Sequence, residues 1–375
     1  VTIGDYAFGR CQALTKIFTE SVKTLGANLF CNCEQTRLIE IAEGNQHFKV
    51  VDGVVFNREM THLISCGDCA KKEYEIPNTV TVIGGAAFDS CSLSSIKIPR
   101  LVTSVDKGAF ANCKQLVSVT LPGSVTFIKE GVFYCCTKLE CISIPDSVEY
   151  IGDEAFYGCI NLKSVTIPDY VTYVGDRAFS NCTALTFITI PKGIETLGIN
   201  LFSGCSKLPE IRFAGEIQNF KFVDGILFNK EMTRLIWCSP DKSGGVEIPH
   251  TVESIDSCAF GSCEKLTSIS IPDSIKKIED LVFSNCSGLG TIAIPDSVTS
   301  IGERAFSGCT ALATATISNS VTSIGNCAFA ECGLTSVKIP GSLVSYGENP
   351  FALCQKLEGI DVSANANFAF EEGVL

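Results

Sequence analysis

A phenylalanine is followed three residues later by a cysteine thirteen times along this chain, with the Phe at 8, 30, 88, 110, 133, 156, 179, 202, 260, 283, 306, 329 and 351. Successive pairs lie 22 or 23 residues apart, apart from two gaps of 58. A repeat this short cannot bury its own apolar face, so its copies must stack into a solenoid whose continuous core they share. That constraint outranks length as a guide to domain organisation: 375 residues would otherwise suggest two or three compact domains.

One rung runs Leu162-x-x-Val165-x-Ile167-Pro168-x-x-Val171-x-x-Val174-Gly175-x-x-Ala178-Phe179-x-x-Cys182. Leu162 to Ile167 alternates like a short strand with Val165 and Ile167 on one face. Pro168 removes a ladder donor and ends it, and Pro168-Asp169 favours a turn. Val171 and Val174 form a second extended stretch, closed at a Gly175 corner. Ala178, Phe179 and Cys182 have the spacing of a single helical turn with its apolar side inward. The inward spine comprises Phe110, Phe133, Phe156, Phe179 and Phe202 with Cys113, Cys136, Cys159, Cys182 and Cys205.

The rung resembles the BspA-like (treponemal-type) leucine-rich repeat, and Ile144-Pro145-Asp146-Ser147-Val148-Glu149-Tyr150-Ile151-Gly152-Asp153-Glu154-Ala155-Phe156 follows that family's unit almost letter for letter. The expected architecture is an α/β repeat solenoid, a leucine-rich-repeat-like curved rod with a parallel β-sheet on one wall, helical turns on another, and two β-hairpin inserts. Residues 1–375 form a single solenoid of about 13 rungs on this reading. What the resemblance implies for function is adhesion, or attachment to host or matrix proteins, in a family found mostly in host-associated bacteria and some protozoa.

The two long gaps hold related inserts, expected over 42–75 and 214–247. Phe48-Lys49-Val50-Val51-Asp52-Gly53-Val54-Val55-Phe56-Asn57 matches Phe220-Lys221-Phe222-Val223-Asp224-Gly225-Ile226-Leu227-Phe228-Asn229, and both continue with Glu-Met-Thr-x-Leu-Ile. Asp-Gly between apolar runs signals a hairpin, with Asn57 and Asn229 as the alternative place for the tighter reversal. A third copy begins at Phe368. The chain starts and stops in mid-repeat, so both ends read as cuts within a longer protein.

Composition narrows the function classes. With 46% hydrophobic and 19% charged residues the chain is not disordered. Its balance of 41 Asp and Glu against 29 Lys and Arg, with no basic cluster, makes nucleic acid and anionic membrane poor partners. No apolar run approaches the ~18 residues needed to span a bilayer.

The cysteines number 21, thirteen of them on the ladder. Parallel side chains on an odd run of identical sites favour free buried thiols donating weakly to backbone carbonyls, with some disulfides as the alternative. Cys66-Gly67-Asp68-Cys69 has the spacing of a redox pair or half a zinc site, but no second such motif or His pair stands near it. His47 and His62 flank the first insert, and His250 is the third histidine. Asp146, Asp169, Asp273 and Asp296 follow the rung proline, and Asp153 and Glu303 follow the Ile-Gly corner; these read as turn residues rather than a Ca²⁺ ladder. Asn181 and Asn285 fit the glycosylation pattern but sit beside ladder cysteines. No phosphate-binding, hydrolase-elbow or zincin motif occurs, and neither an enzyme nor a cofactor is expected.

Function is then expected on surfaces. Outward strand positions read Ser118/Thr120, Ser164/Thr166, Ser268/Ser270 and Thr314/Thr316, two columns of small hydroxyls. Departures from them are Phe187, Glu210 and Arg212 on consecutive rungs, the only Trp, Trp237, and the lysines Lys97 and Lys338. An aromatic beside charges has the composition of an interface hot spot. The expectation is a non-enzymatic cell-surface or secreted scaffold that binds a protein or glycan ligand on a host or matrix surface. The alternative is a spacer or surface-coat element without a ligand.

Overall fold

The computed structural model describes residues 1–11, 20–27, 29–30, 41–42, 44–67 and 70–367. Cys69, Cys31 and the third insert start at Phe368 lie outside the described residues. The chain forms two compact units, Val1–Ile217 and Gln218–Leu375.

Among the described residues of the first unit, alternating segments form short strands, and several of them pair in parallel with the same segment one repeat on. Ser164, Val165 and Thr166 lie opposite Phe187, Ile188 and Thr189, and Ile188, Thr189 and Ile190 lie opposite Ile211, Arg212 and Phe213. The second extended stretch builds another parallel sheet, from strands Phe127–Ile128, Tyr150–Ile151, Tyr173–Val174 and Thr196–Leu197. The second unit repeats both patterns: Thr291–Ala293 pairs with Thr314–Thr316, and Lys277–Ile278, Ser300–Ile301, Ser323–Ile324 and Ser345–Tyr346 form its other sheet.

The helical turns are absent, which corrects the expected α/β class: among the described residues there is no helix, and the fold is a parallel β-solenoid. The backbone of the Gly-x-x-Ala-Phe-x-x-Cys segment explains why. Alternate N–H groups leave the rung: Arg177, Phe179 and Asn181 donate to the carbonyls of Ile199, Leu201 and Ser203 at 2.9, 3.2 and 2.6 Å. Those between them close tight turns, as Ser180 does onto Arg177 at 3.0 Å and Cys182 onto Phe179 at 3.3 Å. Arg177 and Asn181 have φ of 53° and 59°, and a left-handed residue every fourth position breaks a right-handed helix. Such a chain of turns still puts Ala, Phe and Cys on one side, so its apolar spacing imitates a helical turn.

That side is the core. Phe110, Phe133, Phe156 and Phe179 are fully buried and stack with ring centroids 5.2–5.6 Å apart. Phe260, Phe283, Phe306 and Phe329 do the same in the second unit at 5.0–5.3 Å. Burying each ring contributes about 2–3 kcal/mol. Beside them most ladder thiols reach the Phe carbonyl of the preceding rung, as Cys159 Sγ does to Phe133 O at 3.2 Å, Cys182 to Phe156 at 3.2 Å and Cys205 to Phe179 at 3.1 Å, whereas Cys263, after the second insert, reaches Ser239 O at 3.5 Å. All eighteen cysteines among the described residues are free.

The Gly of the Ile-Gly corner is demanded by closeness to its neighbour. A Cβ on Gly175 would sit 2.3 Å from Asp153 Oδ1 and 2.5 Å from Asp153 N in the preceding rung. The acid after the corner serves the backbone: Asp153 Oδ1 accepts the N–H of Asp176 at 2.9 Å, and Asp176 Oδ1 that of Ile199 at 2.9 Å.

Each insert is an antiparallel meander that replaces one turn wall. Phe48–Val51 pairs with Val54–Asn57, which pairs with His62–Cys66; Phe220–Val223, Ile226–Asn229 and Arg234–Cys238 repeat this in the second unit. Both sequence signals operate. Asp52-Gly53 and Asp224-Gly225 make the first reversal with positive φ at both residues (50° and 75°, 51° and 79°), as a two-residue hairpin turn requires. At the second reversal Asn57 Oδ1 accepts the N–H of Thr61 and His62, and Asn229 Oδ1 that of Thr233 and Arg234, at 2.8–2.9 Å. The third strand returns to the parallel register, Arg234 opposite Ser254.

Candidate functional site

On most three-residue strands the middle side chain points inward and its neighbours outward, as in Ser118–Thr120, whereas on Ile211–Phe213 the first residue is buried and the middle one, Arg212, faces out. Many outward positions therefore carry hydroxyls, and in the first unit the departures are Glu73, Glu75, Lys97, Cys141, Phe187, Glu210 and Arg212. The structure brings the last three together. Arg212 lies opposite Thr189, one step along from Phe187, and its guanidinium carbon sits 5.0 Å from the Phe187 ring centroid. Its Nε donates to Glu210 Oε1 at 2.7 Å. The guanidinium is thus held over an aromatic ring and bonded to a carboxylate, while both charged side chains remain more than half exposed (58% and 54%). Ring and guanidinium form a rigid, amphipathic projection, the kind of feature that anchors an interface.

The other predicted residues do not join it. Lys97 pairs with Glu75 in the neighbouring strand at 2.6 Å. Lys338 belongs to the second unit and stands opposite Asp361 in register. The Asp361 carboxyl is held below its ordinary value first by bonds from Ser363 and also by Lys338. Trp237 is buried at 5% exposure, its ring 6.5 Å from Phe222 across the second insert. It is part of the meander's core rather than of an outer face.

The histidines and acids carry no assembled chemistry. Burial pushes the His62 imidazole down, against a weaker upward pull from Asp106. His47 lies against Phe48 with ring centroids 6.3 Å apart. His250 lines an open cleft of about 900 Å³ with Glu247, Ser270 and Asp273 in the second unit. Among the described residues no group of three or more His, Cys, Asp or Glu is placed to hold a metal ion. No helix of the described residues is long and apolar enough to cross a membrane.

A second feature escapes strand-by-strand reading. On the other sheet Phe127, Tyr150 and Tyr173 fall on one column, with Phe127 opposite Tyr150 and Tyr150 opposite Tyr173. The tyrosine rings stack at 4.5 Å and 3°, and Phe127, 48% exposed, tilts against Tyr150 at 6.2 Å and 54°. The 23-residue spacing of these three aromatics was the signal available in the sequence.

The repeat itself identifies the lineage. The family model described as the BspA type leucine rich repeat region matches residues 1–62, 65–152, 126–230 and 238–365. The chain belongs to this family. Among solved structures, the BspA-type array is similar to a leucine-rich cell surface protein of Faecalibacterium prausnitzii, at 26% identity and a TM-score of 0.56 over 96% of this chain and 82% of that one. It shares its fold with the pneumococcal vaccine antigen PcpA, at 20% identity and a TM-score of 0.57 over 88% of this chain and 92% of that one. A comparison with curated protein sequences finds no match for the BspA-type chain.

Proposed function

We infer that this protein is a non-enzymatic scaffold displayed at a cell surface or secreted, which binds a protein or glycan of a host or matrix surface through its strand wall. The observation that carries the reading is the Phe187–Arg212–Glu210 cluster. It places an aromatic and a carboxylate-bonded guanidinium together on a wall rich in small hydroxyls, and such residues dominate the energetics of interfaces. Membership of a repeat family whose members build extended surfaces supports it, as does the similarity to a protein described as a leucine-rich cell surface protein. The regular hydroxyl columns, such as Thr291 opposite Thr314, favour the second reading, a spacer without a ligand.

Binding of the full chain to immobilised extracellular-matrix proteins and glycans separates the two. The scaffold reading expects at least one partner at micromolar concentration, with affinity lowered at least tenfold by Phe187→Ala or Arg212→Ala, about 1.4 kcal/mol or more. Absence of any partner, or indifference of every partner to both substitutions, overturns it.

A further inference from the structure

The aromatic column of the second sheet departs from its own repeat. The same position carries Ser104 and Thr196 in the flanking rungs, and Lys277, Ser300, Ser323 and Ser345 in the second unit. Three consecutive aromatics here bury no core: the residues that fill the interior are their neighbours Ile128, Ile151 and Val174. The tyrosines cover each other's faces, so they offer ring edges and hydroxyls, whereas Phe127 offers a half-exposed ring face.

The surroundings are acidic. Asp153 and Glu130 lie close enough to Tyr150 to add to the rise that burial and Tyr173 impose on its phenol. Glu149 and Glu195, one residue before the column, are exposed and belong to no ion pair among the described residues. Nearby cations are already taken: Lys129 by Asp106 at 2.5 Å, Lys107 by Glu130 at 2.5 Å and Arg177 by Glu154 at 3.5 Å. Aromatic rings on a stretch that carries Asp153, Glu149 and Glu195, none of them in an ion pair among the described residues, suit a guanidinium, which stacks by its flat face and donates from its edge. The molecule shows that combination internally, where Arg212 lies over Phe187 and bonds Glu210.

We propose that the Phe127–Tyr150–Tyr173 strip is a docking surface for an arginine-bearing segment of a protein partner. The proposal rests on the scaffold reading for the existence of a partner, and it assigns a contact to the second sheet in addition to the strand wall.

The test is fluorescence anisotropy of the full chain with a short labelled peptide alternating arginine with threonine, at low ionic strength where exposed charges are least screened. The expected result is saturable binding that weakens at least tenfold in Tyr150→Ser/Tyr173→Ser, which installs the side chain the second unit uses there. An equal loss is expected in Glu149→Lys/Glu195→Lys, whose exposed positions keep the fold intact if the tyrosine variant unfolds. Glu253→Lys/Glu264→Lys, the same charge change in the second unit, should bind as the parent does, and a lysine peptide should bind less tightly than the arginine peptide. No binding up to about 1 mM peptide, or equal weakening by the control pair, overturns the proposal. If a partner found on the matrix panel depends on Arg212 but tolerates both first-unit pairs, the strip is refuted and the scaffold reading stands.

Discussion

Cys205 donates its thiol proton to the carbonyl of Phe179, 3.1 Å away in the preceding rung, while its own N–H bonds Phe202 at 3.0 Å. The side chain is 3% exposed, so ionising it would bury a charge, and burial pushes the thiol from 9.0 up to about 12. A raised folded-state value means that the folded chain keeps a proton which the unfolded chain surrenders. The stability due to this thiol is therefore whole below the unfolded value near 9 and falls as the pH climbs toward 12. The advantage of the parent over Cys205→Ala should shrink by about 1.4 kcal/mol per pH unit above pH 9. Urea unfolding of both proteins across that range checks this, and a constant difference would contradict it. The Phe-x-x-Cys spacing located the residue; the bond to another rung's carbonyl came only with the stacking.

At the scale of elements, the two inserts show how one motif adapts to its neighbours. In the second, Arg234 grips Asp256 with Nε and Nη2 at 2.7 and 2.6 Å, and the Asp256 side chain is only 6% exposed. In the first, the corresponding residues are His62 and Gly84, and a Cβ at Gly84 would meet Leu63 O at 2.9 Å and His62 Nε2 at 3.0 Å. Arg with Asp and His with Gly are thus two fillings of one corner. Arg234→Met should destabilise the protein by about 3 kcal/mol, because it strands a buried carboxylate. The double variant Arg234→His/Asp256→Gly, which copies the first insert, should recover most of that loss. A double-mutant cycle by chemical denaturation measures the coupling, and additive losses would refute it. Both turn signals were legible, since Asp-Gly and Asn act within a few residues of themselves, but the sequence offered them as alternatives and the structure uses both. The helical turn was misread because apolar spacing reports which side faces inward, not where the N–H groups go.

Across the whole molecule, the same argument bears on bulk observables. With no helix among the described residues, far-UV circular dichroism should show a β-type spectrum without the helical double minimum. A helical double minimum would refute the parallel β-solenoid. The denatured, unreduced chain should titrate at least eighteen thiols, the number found free among the described residues. The net charge of −12 keeps such a surface soluble, yet its distribution matters more than its sum. Arg212 is engaged on one wall, and Glu149 and Glu195, in no ion pair among the described residues, flank the aromatic column in sequence on another.

The amino-acid sequence alone determined that short repeats stack, because so short an apolar period cannot bury its own face, and its motif letters carried the resemblance to the family. It also determined the insert hairpins, whose turn chemistry is local. Tertiary structure decided that alternate N–H groups of the Phe-x-x-Cys segment cross to the next rung, which excludes a helix. It decided that Trp237 lies inside, and that Phe127, Tyr150 and Tyr173 form one strip. Each of these depends on contacts between residues a full repeat apart, and a linear pattern does not state which atoms those contacts join.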